Sequence, residues 1–199
     1  MRNPDTLNFS CIKKMIDSYF HLSTDEWHDL QRTIKTKFLK KNEYLVKQGI
    51  NCCSLYYIFS GSVRIFFRTK TGKEVSTKFA FEEQFATALT SFITQTPSNK
   101  SIVTLEDSSF FVLNYSTFQE LLNRYPACEK LARTLTENHY LQKAYREQLL
   151  LENPCERYKK FSESGKHLIQ RIEQKHIASY LGMTPETLCR IKRKVLVAG

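Results

Sequence analysis

The segment from Gln174 to Val195 constrains the fold of this chain more than any other, because it carries the spacing of two short helices around a glycine turn. Ile177 and Leu181 lie four residues apart, on one face of a first helix. Gly182 can take the positive φ at which a helix stops abruptly. Thr184 then has the side chain of a helix N-cap. This pattern predicts a helix-turn-helix.

The second helix of the motif is predicted to read DNA. Leu188, Ile191 and Val195 repeat at helical spacing and point back to the first helix, which leaves the opposite face open. Arg190 has the planar fork that binds O6 and N7 of guanine, and Glu186 can accept from the amino group of cytosine. The basic residues farther along are well placed to meet phosphates. The predicted DNA-binding residues are Thr184, Pro185, Glu186, Thr187, Arg190, Lys192, Arg193 and Lys194.

Positive charge is concentrated in the same part of the chain. The 199 residues have a net charge of +10, which favours a polyanionic partner. Residues 154–199 hold ten Lys or Arg against four Glu, a net +6. An ordinary helical hairpin with a solvated basic face would show the same charge. The turn glycine, the cap and the outward Glu186 and Arg190 favour the DNA-binding interpretation.

The preceding residues predict helices on either side of a β-domain. Residues 10–20 place apolar side chains on one helical face, and the capping-box sequence Ser23-Thr-Asp-Glu26 opens a second helix. Residues 38–115 are rich in β-branched and aromatic side chains, interrupted by turns such as Ser60-Gly61. Several short strands at this spacing indicate a β-sandwich or jelly-roll barrel. A further capping-box sequence, Ser116-Thr-Phe-Gln119, predicts a short helix.

Residues 127–151 contain no Gly or Pro and predict one long helix. It is either a dimerisation helix with polar residues that fix its register, or a helix packed on the β-domain. We favour the dimer because a reader of palindromic DNA needs a two-fold axis. The residues at heptad spacing are Leu131, Leu135, Tyr145 and Leu149, with Asn138 and Gln142 in the seam between them.

Several classes of protein are not supported by the sequence. No apolar run approaches the roughly 18 residues of a membrane span, and the N-terminus lacks a signal-peptide core, so we expect a cytoplasmic protein. The six cysteines show no metal-type spacing, which predicts reduced thiols and no metal site, although adjacent Cys52 and Cys53 leave a redox role open. Residues 38–115 contain no histidine, as a metal-dependent barrel enzyme would require. We therefore predict no catalytic residues and no enzyme activity.

The order of helical N-terminus, small β-barrel, long helix and helix-turn-helix resembles the Crp/Fnr family of bacterial transcription regulators. The resemblance covers nearly the whole chain and is most specific in residues 177–182 and 184–190, where the family carries its base-reading Glu and Arg. The barrel resembles the cyclic nucleotide-binding domain of the family through residues 57–63 and the turn at Gly72. The resemblance implies a homodimer that binds a pseudo-palindromic promoter site in double-stranded DNA and contacts RNA polymerase.

The effector region departs from the members that bind cyclic AMP. Those members carry a Gly-Glu pair and then an Arg-Ser segment that grips ribose and phosphate, whereas here no Gly precedes a Glu in residues 81–87 and no Arg lies in residues 85–108. Lys100 offers a point charge without a bidentate fork, and Glu82 and Glu83 would repel a phosphate. We therefore expect no binding of cyclic AMP. The candidate effector-pocket residues are Phe81, Glu83, Gln84, Phe85, Ser98 and Lys100.

The other sensing cofactors of the family also lack their ligands. The oxygen-sensing branch holds an iron–sulfur cluster with clustered N-terminal cysteines, and Cys11 stands alone in that region. A haem would need a histidine in the barrel, and all five histidines lie outside it. We expect no resident cofactor. The identity of the effector, and whether the protein has one, stays open. The alternative function is a small-molecule or cyclic-nucleotide sensor that acts through protein contacts rather than through DNA.

The expected fold class is α+β. An N-terminal jelly-roll β-barrel of the cyclic nucleotide-binding type with flanking helices is followed by a long dimerisation helix and a C-terminal winged-helix-like or helix-turn-helix domain. Asn153-Pro154 breaks the long helix and marks a boundary, and a helix over residues 155–162 precedes the hairpin. The expected domains are the effector domain at 1–126, the dimerisation helix at 127–153 and the DNA-binding domain at 154–199.

Overall fold

A computed structural model of the chain describes residues 9–19, 22–163 and 165–197. Its elements follow the order that the sequence predicts. Two helices come first, the strands follow with one short helix among them, and only helices come after the last strand. In chain order they are α1 (Ser10–Tyr19), α2 (Thr24–Thr33), β1 (Lys35–Leu39), β2 (Tyr44–Val46), β3 (Ser54–Ser60), β4 (Val63–Arg68), β5 (Glu74–Ala80), β6 (Phe85–Ala86), α3 (Leu89–Thr94), β7 (Ser101–Thr104), β8 (Ser108–Asn114), α4 (Tyr115–Arg124), α5 (Pro126–Leu151), α6 (Pro154–Glu163), α7 (Lys166–Ile169), α8 (Gln174–Tyr180) and α9 (Pro185–Val197).

The strands form two four-stranded sheets, with the orders β1-β8-β3-β6 and β2-β7-β4-β5. The pairs β1–β8, β3–β8, β3–β6 and β2–β7 are antiparallel. Each sheet keeps its own two edge strands, so the jelly roll that the sequence predicts is present, but it is a pair of sheets and not a closed barrel. The exposed edge strand β1 carries Lys35 and Lys37, whose charges discourage pairing with another chain.

Strands β3 and β8 bury both of their faces. Because side chains alternate along a strand, Tyr56 and Ile58 point into the core that the two sheets share, together with Phe110. Tyr57 and its cross-strand partner Phe111 point the other way and pack with residues of α1, α2 and α4. The first sheet is therefore the middle layer of the β-domain, with the second sheet on one face and helices on the other.

The two N-terminal helices that the sequence predicts are confirmed. Helix α1 covers Ser10–Tyr19, and Phe20 of the predicted range lies outside the described residues. Helix α2 begins with the predicted capping box, in which the Ser23 hydroxyl accepts from the Glu26 N–H at 3.3 Å. The Glu26 carboxylate in turn accepts from the Ser23 N–H at 2.7 Å.

The second predicted capping box, at residues 116–119, is wrong. Helix α4 already begins at Tyr115, so Ser116 lies inside its first turn and the N-cap is Asn114. The Asn114 side chain makes no cap hydrogen bond, and its carbonyl oxygen accepts from the hydroxyl of Ser54 at 3.1 Å. A contact across 60 residues thus replaces the local one that the sequence suggested.

Internal contacts divide the chain into two units. The first comprises the residues up to 65 together with 79–138, and the second comprises 66–78 together with 139–199. The second unit thus contains the tip of the β4–β5 hairpin and the second half of α5. The domain boundaries at 126 and 153 stay a prediction.

The second unit has its own apolar core and the predicted helix ahead of the hairpin. Helix α6 begins at Pro154 and ends at Glu163, within one residue of the prediction. After Leu151 the described residues form helices only, so the structure shows a helix-turn-helix there and no strands of a wing. The fully or almost fully buried apolar residues described in this unit are Phe66, Leu149, Ile172, Ile177, Ala178, Leu181, Leu188 and Ile191.

Candidate nucleic-acid interface

The turn between α8 and α9 has the geometry that Gly182 predicts. Gly182 has a φ of +66°, and its N–H donates to the carbonyl of Ser179 at 3.3 Å. The N–H of Met183 donates to the carbonyl of Ala178 at 3.0 Å. These are the two hydrogen bonds of a Schellman motif, which ends a helix at a left-handed residue. The turn is therefore fixed by its own backbone and not only by packing.

Thr184 caps α9 as the sequence predicts. Its hydroxyl oxygen accepts from the backbone N–H of Thr187 at 3.2 Å, and its hydroxyl donates to the Thr187 hydroxyl at 3.1 Å. The pKa of the Glu186 carboxyl is lowered by hydrogen bonds from the backbone N–H of Glu186 itself and from the side chain of Thr184. The carboxylate thus stays charged at neutral pH at the start of the helix, where the helix dipole also favours a negative charge.

Helix α9 divides cleanly into a buried and an open face. Leu188 and Ile191 are buried, whereas Glu186, Arg190 and Arg193 are exposed. The spacing of these last three residues, four and then three apart, places them side by side on one face. Of the remaining predicted residues, Thr184, Pro185 and Lys194 are exposed, whereas Thr187 and Lys192 are half-buried.

One residue of the open face was not among the predicted DNA-binding residues. Cys189 is an exposed free thiol between Glu186 and Arg190 along the helix. The helical period itself would have found it, because position 189 precedes the outward Arg193 by one turn. Cysteine is not among the residue types with known pairings to base edges, so the prediction from the sequence left Cys189 out.

The first group of effector-pocket candidates forms a tight turn before β6. The Gln84 N–H donates to the Phe81 carbonyl at 3.2 Å, and the Phe81 N–H donates to the side-chain oxygen of Gln84 at 3.3 Å. Glu83 lies at the corner of this turn, exposed, with a φ of +63°. The ring of Phe85 packs edge-on against Tyr57, with centroids 5.2 Å apart.

The second group forms a loop before β7. Ser98 is buried, and its hydroxyl donates to the Lys100 carbonyl at 2.8 Å while accepting from the Lys100 N–H at 3.0 Å. The Ser98 carbonyl accepts from the N–H of Gly49 at 2.7 Å. These bonds give the Ser98 hydroxyl a role in holding the loop, so it is not a spare donor for a phosphate.

The long helix α5 presents different apolar residues from those predicted at heptad spacing. Leu135 packs against the core that the sheets share, and Leu149 is buried with only 2% of its surface exposed. Of the predicted heptad residues only Tyr145 is strongly exposed, at 46%. One set of exposed residues that follow one another at spacings of three and four is Asn138, Leu141, Tyr145 and Gln148, hereafter the α5 stripe.

The described residues form neither a candidate metal cluster nor a candidate membrane-spanning helix. Among residues 9–19, 22–163 and 165–197, no group of three or more His, Cys, Asp or Glu is arranged to hold a metal ion. In the same ranges, no helix combines the length and the apolar character needed to cross a membrane.

Comparison with known proteins agrees with this architecture. Residues 36–125 match the family model of the cyclic nucleotide-binding domain. No curated protein sequence matches the chain. Residues 36–125 are thus similar to a cyclic nucleotide-binding domain.

Solved structures extend the likeness to most of the chain. FixK2 from Bradyrhizobium japonicum is 15% identical, with a TM-score of 0.76 over 83% of this chain and 86% of that one. A putative transcriptional regulator of the Crp/Fnr family from Eubacterium rectale is 18% identical, with a TM-score of 0.71 over 92% and 89%. The c-di-GMP-responsive regulator CLP from Xanthomonas campestris is 14% identical, with a TM-score of 0.72 over 89% and 93%. The chain has the fold of the Crp/Fnr transcription regulators.

Proposed function

We propose that the chain is a cytoplasmic transcription regulator of the Crp/Fnr type, which binds a pseudo-palindromic promoter site as a homodimer and contacts RNA polymerase. The open face of α9 is the observation that supports this function most directly. It carries Glu186, Arg190 and Arg193 on a helix whose other face is buried. Within the described residues, none of these three side chains forms an ion pair, so their charges are available to a ligand.

Each of these side chains has a distinct task on DNA. Arg190 binds the two acceptors of guanine in the major groove, and Glu186 accepts from a cytosine amino group. Glu186 is suited to that role because its lowered pKa keeps it an acceptor. Arg193 and Lys194, farther along the helix, meet phosphates and contribute affinity without reading the sequence.

The α5 stripe supports the homodimer. Leu141 is 61% exposed in the single chain, and Tyr145, one turn farther along the helix, is 46% exposed. With Asn138 and Tyr145, Leu141 forms a seam at the spacing of a two-stranded coiled coil. A second copy of this chain, pairing through the same stripe, would supply the two-fold axis that a palindromic site requires.

The effector domain is proposed not to bind cyclic AMP. The loop regions that correspond to the phosphate grip offer no arginine fork, and the Ser98 hydroxyl already bonds to its own loop. The carboxylate of Glu82 accepts from the N–H of Gly61 at 2.8 Å, so its charge has a structural role near this region. The regulator thus acts without catalysis and responds to another effector or to none.

The experiment that tests this function is selection of bound DNA fragments by the purified protein, with and without cyclic AMP. We expect an inverted-repeat motif that is enriched equally in both conditions. Enrichment only with the nucleotide would contradict the proposal for the effector domain. No motif in either condition would favour the alternative, a sensor that acts through protein contacts.

Substitution Arg190→Ala tests base reading directly. Loss of a bidentate contact to guanine should weaken binding by about 1–3 kcal/mol and relax the preference at one base pair. Arg133→Ala is the matched control, because Arg133 is an exposed arginine of another helix, α5, and pairs there with Glu137 at 3.6 Å. Titration of fluorescent DNA measures both variants, and equal affinities for Arg190→Ala and the control would contradict the role of Arg190.

A further inference from the structure

Three successive carbonyls at the helix-turn-helix turn accept hydrogen bonds from two arginines of other helices. Arg146 of α5 donates from Nη2 to the carbonyl of Tyr180 at 3.2 Å. Arg157 of α6 donates from Nη1 to the carbonyl of Leu181 at 2.9 Å and to that of Gly182 at 3.5 Å. All of these residues belong to the second unit. The turn is therefore held by two guanidinium groups that come from outside the motif.

Arg146 is held in more than one way. Its guanidinium carbon lies 5.2 Å from the centroid of the Tyr180 ring, and that ring packs against Phe161 of α6 at 5.4 Å. Burial lowers the pKa of Arg146, and its Nε has no hydrogen-bond partner among the described residues. A partly desolvated guanidinium with one donor unmet contributes little to stability. What the arrangement supplies is a fixed angle between α5 and the turn.

Arg157 connects the same turn to the end of α5. Its Nε donates to the carbonyl of Glu152 at 2.7 Å, just after the last residue of the helix. A Cβ at Gly182 would lie 3.1 Å from Cδ2 of Leu150 and 3.2 Å from Nη1 of Arg157. The backbone of the turn thus approaches α5 and α6 about as closely as a glycine permits.

We propose that Arg146 and Arg157 are positioning residues that set the angle of α9 relative to α5 and thereby select the spacing of the two DNA half-sites. The proposal rests on the proposed function, including the homodimer. Because α9 begins at Pro185, three residues after Gly182, a shift of the turn carries the whole reading helix with it. When two α5 helices pair, that angle determines how far apart the two Arg190 side chains stand. Half-sites for such readers lie about 34–36 Å apart, one turn of DNA.

The test measures binding to a series of sites in which the spacer between half-sites is shortened or lengthened by one or two base pairs. Arg146→Lys and Arg157→Lys keep the charge but lose the planar fork, and in Arg146 also the stacking on Tyr180. Arg133→Lys is the matched control, because Arg133 is an exposed arginine on α5 that pairs with Glu137 of the same helix. Affinity for a single half-site and the melting temperature are measured for every variant.

We expect the native protein and the control to prefer one spacing by about tenfold over its neighbours, equivalent to about 1.4 kcal/mol. Arg146→Lys and Arg157→Lys should each reduce that preference to about threefold or less while single half-site affinity stays within about twofold of native. A uniform loss of affinity at every spacing, or an unchanged spacing profile, would overturn the inference and leave the proposed function standing. Failure of the native protein to bind any DNA would overturn the proposed function and this inference with it.

Discussion

At the scale of single residues, Gly61 illustrates a position where backbone and packing both exclude other side chains. It has a φ of +99°, and a Cβ there would lie 2.2 Å from Oγ and 2.8 Å from Cα of Ser108. Gly61→Ala should therefore lower the free energy of unfolding by about 3 kcal/mol, from left-handed strain and from the displaced strand β8. Thermal denaturation followed by circular dichroism measures the loss.

Gly72→Ala is the control for the backbone contribution. Gly72 also has a positive φ, +83°, but a Cβ there would meet nothing within 4 Å. Its substitution should cost only about 1 kcal/mol, which is the left-handed strain alone. Equal losses for the two variants would show that Ser108 moves away freely and that packing does not matter at Gly61.

Residues whose role depends on local geometry were predictable from the sequence, and those whose partners lie far along the chain were not. Thr184 and Gly182 bond to residues within five positions, so a short window contains the whole signal. Arg146 and Arg157 reach carbonyls 24 to 34 residues away. In the sequence such arginines cannot be distinguished from the basic residues of a solvated helix face.

At the scale of elements, the hydroxyl of Ser179 joins helix α8 to strand β5 within the second unit. It accepts from the N–H of Ser76 at 3.0 Å and donates to the carbonyl of Glu74 at 3.0 Å. Strand β5 is an edge of its sheet, so this one side chain bonds backbone groups that no further strand covers. Ser179→Ala should lower the free energy of unfolding by about 1–2 kcal/mol and speed hydrogen exchange at the Ser76 amide.

Ser162→Ala serves as the control for that measurement. The Ser162 hydroxyl donates to the carbonyl of Tyr158 at 2.7 Å, inside its own helix α6. Its loss should leave exchange at the Ser76 amide unchanged. If the Ser76 amide exchanges at the native rate in Ser179→Ala as well, the hydroxyl does not hold β5.

Element type was easier to predict than the side that an element buries. The long helix follows from residues 127–151 without Gly or Pro, and α5 begins one residue earlier and ends at the predicted Leu151. Its heptad residues were predicted to contact a second copy of the helix in a dimer, yet Leu135 and Leu149 pack within their own chain. A helix with apolar residues on two faces gives two overlapping periodic patterns, and the sequence alone does not tell which face meets its own chain.

At the scale of the whole molecule, the α5 stripe leads to a prediction about assembly. Tyr145 lies in the stripe, and Asp in its place would put a charge into the seam between two copies of α5. Tyr145→Asp should raise the dissociation constant of the dimer by about 100-fold, or about 2.7 kcal/mol. Sedimentation velocity over a range of concentrations measures the constant.

Tyr140→Asp makes the same change one and a half turns away on the same helix. Tyr140 is 68% exposed but lies two residues from Asn138, about 200° around the helix and so off the stripe. It should leave the dimer intact, because its side of the helix meets solvent in either state. The Tyr145 variant should also lose the extra affinity that a palindrome gains from two linked half-sites. Equal dissociation constants for the two variants would mean that the chain assembles through another surface.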